Sequence, residues 1–397
     1  MLLLGRTAKI SRIDVGDGVA CPERSRRIPS RLGRQECLPH SRVLGFGAWW
    51  RRHSCLCFSL MFSVASLLVV GLVAVAQAPE SPPLVRPEIP LGLDLYMPIP
   101  EDNPLTAEKV VLGRRLFFDP ILSRDYTLAC ASCHDPRRAF VDGLPIAVGI
   151  EDRHGTRNAP VLVNRVYGKA QFLDGRAASL EEQALQPIEN PKEFDMTLEE
   201  VVARLKSHSE YAAFFQAAFG REANAEDLAR AVASYVRTIL SGDAPIDRYM
   251  NGDREALSEQ ARAGLRLFRG KANCTACHLG PTFSDEQFHN TGVAWREGEL
   301  LDPGRSAVTG KEEDRGAFKT PTLREVTRTA PYMHDGSLAT LDDVIEFYNR
   351  GGNPNPYLDP ELRPLHLKEE EKEALLAFLK RLSGTITEGL STRRQNQ

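Results

Sequence analysis

The sequence predicts an all-α protein built from two similar domains in tandem, over residues 84–245 and 246–387. Two observations carry this prediction. One ordered set of residues occurs twice with matching spacings, which indicates an internal repeat. Apolar residues recur at helical spacings in each copy, whereas the alternating patterns of strands are weak throughout.

The composition is that of an ordinary globular protein with an acidic body. Of the 397 residues, 42% are hydrophobic and 26% are charged, which is enough for two domains with cores of their own. Residues 1–76 hold 11 Lys and Arg against 4 Asp and Glu, which leaves 39 basic and 49 acidic residues for the rest of the chain. The resulting net charge of −10 argues against nucleic acid as a partner and favours a small basic protein.

The N-terminal segment has the features of an export signal. Arg51 and Arg52 precede an apolar run, residues 54–76, that ends in Ala-Val-Ala. This predicts a signal peptide over 51–78, although the run is also long enough to be an uncleaved membrane anchor. Both alternatives put the body outside the cytoplasm. Residues 1–50 show no periodicity, and we expect no fold there; a start codon assigned too early would explain them.

Each copy of the repeat begins with a helix and continues with fixed spacings. Gly113 and Phe117 precede the first cysteine pair, Gly264 and Phe268 precede the second, and a separation of four puts each pair on one helix face. Two further spacings are the same in both copies. Pro160 is followed by Asp174 after fourteen residues and then by Leu180 after six more. Pro321, Asp335 and Leu341 repeat these separations in the second copy.

Each copy closes with an amphipathic helix, predicted to run to a Leu-Ser-Gly sequence. The periodicity predicts which residues these helices bury. They are Leu228, Val232, Tyr235, Val236 and Ile239 in the first copy, and Leu375, Phe378, Leu379 and Leu382 in the second.

Each copy also contains one Cys-x-x-Cys-His sequence, at Cys130, Cys133 and His134 and at Cys274, Cys277 and His278. This is the attachment pattern of c-type haem, because two thiols add to two vinyl groups on one porphyrin edge and the adjacent His reaches the iron. A zinc or redox site is the alternative, but zinc needs its four ligands together, and these pairs are about 140 residues apart. The sequence therefore predicts two covalent c-type haems with His134 and His278 as iron ligands.

The remaining axial position of each iron decides between electron transfer and peroxide binding. Tyr348 lies seven residues after Leu341, and Pro187 lies seven after Leu180. Tyrosinate can ligate iron and proline cannot. If the copies fold alike, the second haem is six-coordinate and the first is open. The alternative for Tyr348 is a core tyrosine on an amphipathic helix.

From about Ile99 to Gly384, these motifs and five others resemble the bacterial di-haem cytochrome c peroxidase / MauG family. The five are Arg157-Asn-Ala-Pro160, Asp174-Gly-Arg-Ala-Ala-Ser-Leu-Glu-Glu-Gln183, Asn190-Pro-Lys-Glu193, Thr320-Pro-Thr-Leu323 and Ala330-Pro-Tyr-Met-His-Asp-Gly336. The resemblance implies two cytochrome c-like domains, with peroxide activation at the N-terminal haem and electron transfer at the C-terminal one. It further implies hydrogen peroxide as substrate, a small cytochrome c or cupredoxin as electron donor and a periplasmic location, and it is compatible with a homodimer.

The resemblance also implies roles for individual residues. Glu193 falls where the family has its catalytic acid/base, which takes a proton from peroxide and returns it to the leaving oxygen. Gln183 matches a distal-pocket residue. Tyr348 stands where MauG-type members carry a tyrosine ligand and many peroxidases carry Met. Without the resemblance, Glu193 would be read as a solvated loop charge and Gln183 as a surface polar residue.

A calcium site between the haems is implied by Asn158, Thr329 and Pro331, which offer oxygen ligands suited to a hard cation.

Other positions depart from the family pattern. Many peroxidases close the first haem with a distal His in the resting enzyme, and Ile150 matches that position; His154, four residues on, is the alternative ligand. Leu173 stands where the family often has a Trp between the haems, and Ala272 where MauG has a surface Trp that oxidises its protein substrate. These departures put a MauG-type oxidation of a protein in doubt.

Three functional hypotheses follow. The leading one is an exported di-haem peroxidase that reduces hydrogen peroxide at the open N-terminal haem with electrons delivered through the six-coordinate C-terminal haem. The second is a MauG-like enzyme that uses peroxide to oxidise a side chain of a partner protein. The third is a non-catalytic electron-transfer cytochrome, against which Pro187 argues because it leaves the first iron open.

Overall fold

The computed structural model describes residues 83–390. The segments 1–50 and 51–78, for which the sequence predicts no fold and a signal or anchor, lie outside the described residues. Within residues 83–390, no helix combines the length and the apolar character needed to cross a bilayer.

The described chain is mainly helical, with little sheet. The first half contains α1 (Ala107–Phe118), α2 (Cys130–Cys133), α3 (Leu180–Glu189), α4 (Leu198–Ser207), α5 (Ser209–Phe219) and α6 (Ala225–Val236). The second half contains α7 (Pro245–Met250), α8 (Glu259–Arg269), α9 (Ser306–Thr309), α10 (Leu341–Asn349) and α11 (Glu369–Leu379). Short 3-10 helices, among them Cys274–Ala276, connect several of these elements.

The strands of the described chain form short antiparallel pairs. They are β1 (Leu240–Gly242) with β6 (Thr385–Thr387), β2 (Phe288–His289) with β5 (Phe318–Lys319), and β3 (Trp295–Arg296) with β4 (Glu299–Leu300). The first pair joins the link between the halves to the end of the second half, with Ser241 opposite Ile386.

The closing helices end earlier than the sequence predicted. α6 stops at Val236, and the first Leu-Ser-Gly sequence is β1; in the second copy α11 stops at Leu379. Tertiary contacts explain the difference, because the side chain of Asn164 donates to the carbonyl of Ser241 and accepts from its N–H. These bonds and the pairing with β6 use the backbone groups that a longer helix would need.

Residues 83–390 contain two large hydrophobic cores and a small third cluster formed by Leu93, Met97, Val166 and Leu240. The first uses buried residues from Leu105 to Ile239, and the second uses buried residues from Ala244 to Leu382. All nine residues that the periodicity assigned to the buried faces of the closing helices are buried, so that prediction is confirmed. The last strand, β6, belongs to the second half by sequence, but its residue Ile386 packs against the first core.

The repeat seen in the spacings is also a repeat of packing. α1 crosses α6, and α8 crosses α11. At each crossing a glycine meets the partner backbone: an added Cβ would stand 1.9 Å from the carbonyl oxygen of Ala231 at Gly113, and 1.9 Å from that of Ala374 at Gly264. Only glycine allows helices this close.

α3 and α10 begin at equivalent residues of the two copies. This makes the later positions of the two helices equivalent as well, including the two that the sequence analysis compared as distal positions, Pro187 and Tyr348. Ser179 Oγ accepts from Glu182 N–H at the start of α3, and Thr340 Oγ1 accepts from Asp343 N–H at the start of α10. Both are side-chain caps of the kind that sets where a helix begins. Pro187 and Tyr348 therefore occupy the same position in the last turn of their helices.

Candidate functional site

The first Cys-x-x-Cys-His sequence forms the short helix α2, with His134 directly after it. His134 Nδ1 lies 3.1 Å from the carbonyl oxygen of Phe140, a contact in which the nitrogen donates and Nε2 keeps its lone pair. Burial lowers the pKa of His134 to about 4, so the ring is neutral at ordinary pH. Burial also raises the pKa of Cys130 and Cys133 to about 12.

The second sequence repeats this arrangement. His278 Nδ1 lies 2.9 Å from the carbonyl oxygen of Phe283, and burial lowers the pKa of His278. Burial raises the pKa of Cys274 to about 12. Both histidines thus present a neutral Nε2, which is the form that ligates iron. We call these two Cys-x-x-Cys-His sequences the first and the second frame. The residues of each frame fit a haem held by two cysteine sulfurs and one imidazole.

The alternative of a zinc site finds little support. Among residues 83–390, the one group of metal-binding side chains within reach of one another is Cys277, Asp285 and His289, which contains a single cysteine. His289 uses both ring nitrogens for carboxylates, with Nδ1 2.6 Å from Asp359 Oδ2 and Nε2 2.9 Å from Asp285 Oδ2. The cysteine pairs do not come together as a four-ligand zinc site would require.

The two frames differ in what the last turn of α3 or α10 offers them. Tyr348 stands in the last turn of α10, where burial raises its pKa and the cysteines of the second frame, Cys274 and Cys277, raise it further. Pro187 holds the equivalent place in the first half and has no ligating atom. Ile150, which matches the distal His of other members, is fully buried, and His154 is exposed.

Glu193 lies beside the first frame. Cys133 Sγ lies 3.9 Å from the carbonyl oxygen of Val148, and two residues on Ile150 N–H donates to the carbonyl of Glu193 over 3.0 Å. The charge of Glu193 accordingly helps to raise the pKa of both Cys130 and Cys133. Burial raises the pKa of Glu193, while a 2.7 Å hydrogen bond from Asn190 Nδ2 to Glu193 Oε1 and the charge of Arg176 act in the opposite direction. A half-buried carboxylate with a raised pKa is suited to accepting a proton and returning it.

A polar cavity of about 330 Å³ adjoins Glu193, and its wall is formed by Arg176, Gln186, Glu189, Asn190, Pro191 and Glu193. Gln183, the glutamine singled out from the sequence, is half-buried on α3 but is not part of this wall. Its neighbour one turn on, Gln186, accepts a 3.1 Å hydrogen bond from Arg176 Nε. Sequence reasoning missed Gln186, Arg176 and Asn190 as cavity residues, although Arg176 and Asn190 stand inside the motifs that it used.

The residues assigned to calcium lie in two segments that meet. Asn158 N–H donates to the carbonyl of His334, three residues after Pro331, over 2.7 Å. The Asn158 amide nitrogen donates to Leu144 O over 2.6 Å, and within residues 83–390 no group donates to its Oδ1. Thr329 Oγ1 donates to Val326 O, so its own backbone oxygen is the better ligand. The donor set suits calcium.

The halves meet through charged side chains near Leu173. Arg157 pairs with Asp174 of its own half and with Asp302 of the second half. The carbonyl of Leu173 accepts a 2.8 Å hydrogen bond from Lys319 N–H, which ties this segment to β5. Ala272, at the position of the surface Trp of MauG, is buried in the second core.

Comparison with known proteins agrees with this arrangement. The family model described as di-haem cytochrome c peroxidase matches residues 107–255. The chain is 44% identical to the methylamine utilization protein MauG of Methylorubrum extorquens over 288 residues, covering 72% of this chain and 81% of that protein. It is 36% identical to the cytochrome c551 peroxidase of Pseudomonas aeruginosa over 303 residues, covering 73% and 84%.

A solved structure also matches along most of the chain. The crystal structure of a MauG-like protein associated with microbial copper homeostasis superposes with a TM-score of 0.68 at 32% identity, covering 78% of this chain and 96% of that one. The relatives thus include proteins named as peroxidases and proteins named as MauG. Given these matches, the chain belongs to the di-haem cytochrome c peroxidase family and is an oxidoreductase of that type.

Proposed function

We propose that this protein is an exported di-haem peroxidase that reduces hydrogen peroxide at the first frame with electrons taken in through the second. One observation carries the proposal. A half-buried carboxylate, Glu193, lines a polar cavity beside the first frame, whereas the second half has Tyr348 at the helix position that Pro187 holds in the first. The halves are alike in packing and differ at these distal positions, which suits a division between a reaction site and an electron-entry site.

In this proposal Cys130, Cys133 and His134 hold one haem, and Cys274, Cys277, His278 and Tyr348 hold the other. When bound, haem supplies an iron that can bind peroxide and exchange electrons. The carbonyls of Phe140 and Phe283 keep each imidazole in the tautomer that presents Nε2.

Glu193 moves the proton. Its carboxylate accepts a proton from one oxygen of hydrogen peroxide and returns it to the other oxygen as the O–O bond breaks. The complete reaction takes two electrons from the donor and two protons from solvent, and it yields two water molecules. Because burial raises the pKa of Glu193, its carboxylate holds a proton more readily than an exposed glutamate does and can then return it.

The remaining assignments follow the same proposal. The acidic body, with its net charge of −10, suits a small basic electron donor, a cytochrome c or a cupredoxin, in the periplasm. Asn158, Thr329 and Pro331 bind Ca²⁺ between the two halves, and a homodimer is the expected assembly.

A MauG-like oxidation of a partner protein is the second candidate. The 44% identity to a MauG protein and the tyrosine at position 348 favour it. Leu173 and the buried Ala272 oppose it, because neither side chain can carry an electron to a protein surface. Peroxide treatment of candidate partners followed by mass spectrometry separates the two functions, since only the second leaves a modified partner.

The test of the leading proposal is the variant Glu193→Gln in the holoprotein. We expect the peroxide-dependent oxidation of a reduced small cytochrome to fall by roughly 10²–10⁴-fold, because an amide cannot accept the proton. Glu199→Gln, an exposed carboxylate on α4, is the matched control and should keep the wild-type rate. A Glu193→Gln enzyme that matches the wild type would exclude this carboxylate as the acid/base.

A further inference from the structure

The side chain of Asn190 has one defined orientation. Asn190 Oδ1 accepts the N–H of Lys192 over 3.0 Å, so the amide nitrogen must point the other way. There Nδ2 donates to Glu193 Oε1 over 2.7 Å. A side-chain amide that could otherwise flip is thus fixed by the backbone, with its donor aimed at the carboxylate.

The second carboxylate oxygen of Glu193 is left for the cavity. Within residues 83–390, Oε2 makes no hydrogen bond, and Glu193 and Asn190 both line the cavity wall. Because Oε1 accepts the hydrogen bond from Asn190 and Oε2 accepts none within the described chain, the lone pairs of Oε2 are the ones available to take a proton.

The backbone around Glu193 is held independently of this amide. Ile150 N–H donates to the carbonyl of Glu193 over 3.0 Å, and Arg153 Nη1 donates to the carbonyl of Pro191 over 2.6 Å. Gly149 packs on the same stretch, since an added Cβ would stand 1.8 Å from the carbonyl oxygen of Lys192. The loop therefore keeps its path without the Asn190 donor, whose effect falls on the carboxylate.

Other charged or titratable groups also face Glu193. Arg176 supplies a positive charge from the segment before α3, Glu189 a negative one from the end of α3, and Cys130 and Cys133 lie across from it on α2. The cysteines are thioethers in the haem-loaded protein and then carry no charge. Asn190 is the group that donates a hydrogen bond to the carboxylate.

We propose that Asn190 is a positioning residue, which by donating to Oε1 of Glu193 holds Oε2 toward the cavity and favours the ionised carboxylate that accepts the proton of the peroxide. The catalytic meaning of this contact rests on the function proposed above. The contact itself does not, so it can be tested separately.

The decisive variant is Asn190→Asp in the haem-loaded protein. It keeps the shape and the acceptor for Lys192 N–H, but it replaces the donor with an oxygen. Asn190→Ser, a smaller side chain without the amide donor, is the second variant in case the added charge prevents folding. The control is Asn224→Asp, because Asn224 also donates to a carboxylate, that of Asp227, and also accepts a backbone N–H, at the start of α6.

The readout is the pKa of Glu193, followed by infrared difference spectroscopy across pH and assigned with Glu193→Gln. We expect Asn190→Ser to raise this pKa by about one unit, because a charge-assisted hydrogen bond to the ionised form is lost. Asn190→Asp should raise it further, because it also adds a like charge, and the low-pH limb of peroxidase activity should move up in both variants. Asn224→Asp should leave the pKa and this limb unchanged.

The outcomes separate the two claims. An unchanged Glu193 pKa in both Asn190 variants would overturn the role of Asn190, and so would an equal rise in Asn224→Asp. If the pKa moves as expected while Glu193→Gln retains full peroxidase activity, the positioning contact stands and the proposed function fails.

Discussion

Gly264→Ala tests how tightly the second half is packed around its haem frame. The new Cβ would stand 1.9 Å from the carbonyl oxygen of Ala374, whereas ordinary contacts begin at 3.4 Å, so α8 must move by about 1.5 Å from α11. Overpacking of this kind costs up to about 3 kcal/mol, and the better helix propensity of alanine returns about 1 kcal/mol. We expect a net loss of about 2 kcal/mol, or a fall in Tm of roughly 4–8 °C.

The same displacement should reach the second haem frame. Phe268 of α8 packs edge-on against Phe283, with ring centroids 6.3 Å apart, and the carbonyl of Phe283 orients His278. The visible spectrum of the second haem should therefore change, and that of the first should not. Gly113→Ala should produce the reverse pattern, because Gly113 plays the same part in the first half.

Thermal unfolding with haem absorbance as the probe measures both effects. Gly310→Ala is the control, because Gly310 has a positive φ with open space around it, so only backbone conformation opposes the alanine, at about 1 kcal/mol. If Gly264→Ala is as stable as the wild type or more stable, helix propensity outweighs the contact. The close crossing of α8 and α11 would then be refuted.

Three further predictions concern the site. Tyr348→Phe should change the low-spin ferric EPR signal of one haem, and an unaltered spectrum would exclude the phenol as an iron ligand. Alanine at Gln186 should raise the KM for peroxide several-fold more than alanine at Gln183, because only Gln186 lines the cavity; the opposite order in steady-state assays would favour the family-based assignment. A free Cys277 thiol and the carboxylates of Asp359 and Asp285 all raise the pKa of His289. In the haem-loaded protein Cys277 is an uncharged thioether, so the two carboxylates alone keep this pKa above its usual 6.5. Stabilisation by the protonated ring is thus complete below about pH 6.5 and is lost as the pH rises from there through the raised pKa of His289. The free energies of unfolding in urea of the wild type and of His289→Gln should therefore converge as the pH rises. A difference that stays constant with pH would show that the protonated ring does not stabilise the fold.

The sequence was most informative where local spacing decides the structure. The haem frames, the helix faces that carry Gly113 and Gly264, and the common start of α3 and α10 all follow from periodicities and caps within a few residues of one another. The equivalence of Pro187 and Tyr348 needed only that register.

Features that depend on contacts between distant segments could not be predicted in this way. β1 exists because Asn164 and the C-terminal strand bond to Ser241, and neither is near it in sequence. The choice of Gln186 over Gln183 as a cavity residue depends on the rotation of α3 against the rest of the fold. Asn190 stands inside a motif that the sequence analysis used. The orientation of its amide, however, is set by the hydrogen bond from Lys192 N–H in a local turn, which helical periodicity does not predict.

The pairing of β1 with β6 affects how this protein can be divided. Ile386 belongs by sequence to the second half but packs against the first core, and Ser241 beside it lies in the link between the halves. A gene fragment that ends near residue 245 would encode the first half without the strand that packs on its core. The stability of the first half thus depends on the C-terminal strand, and a substitution that unpairs this strand should destabilise the first core.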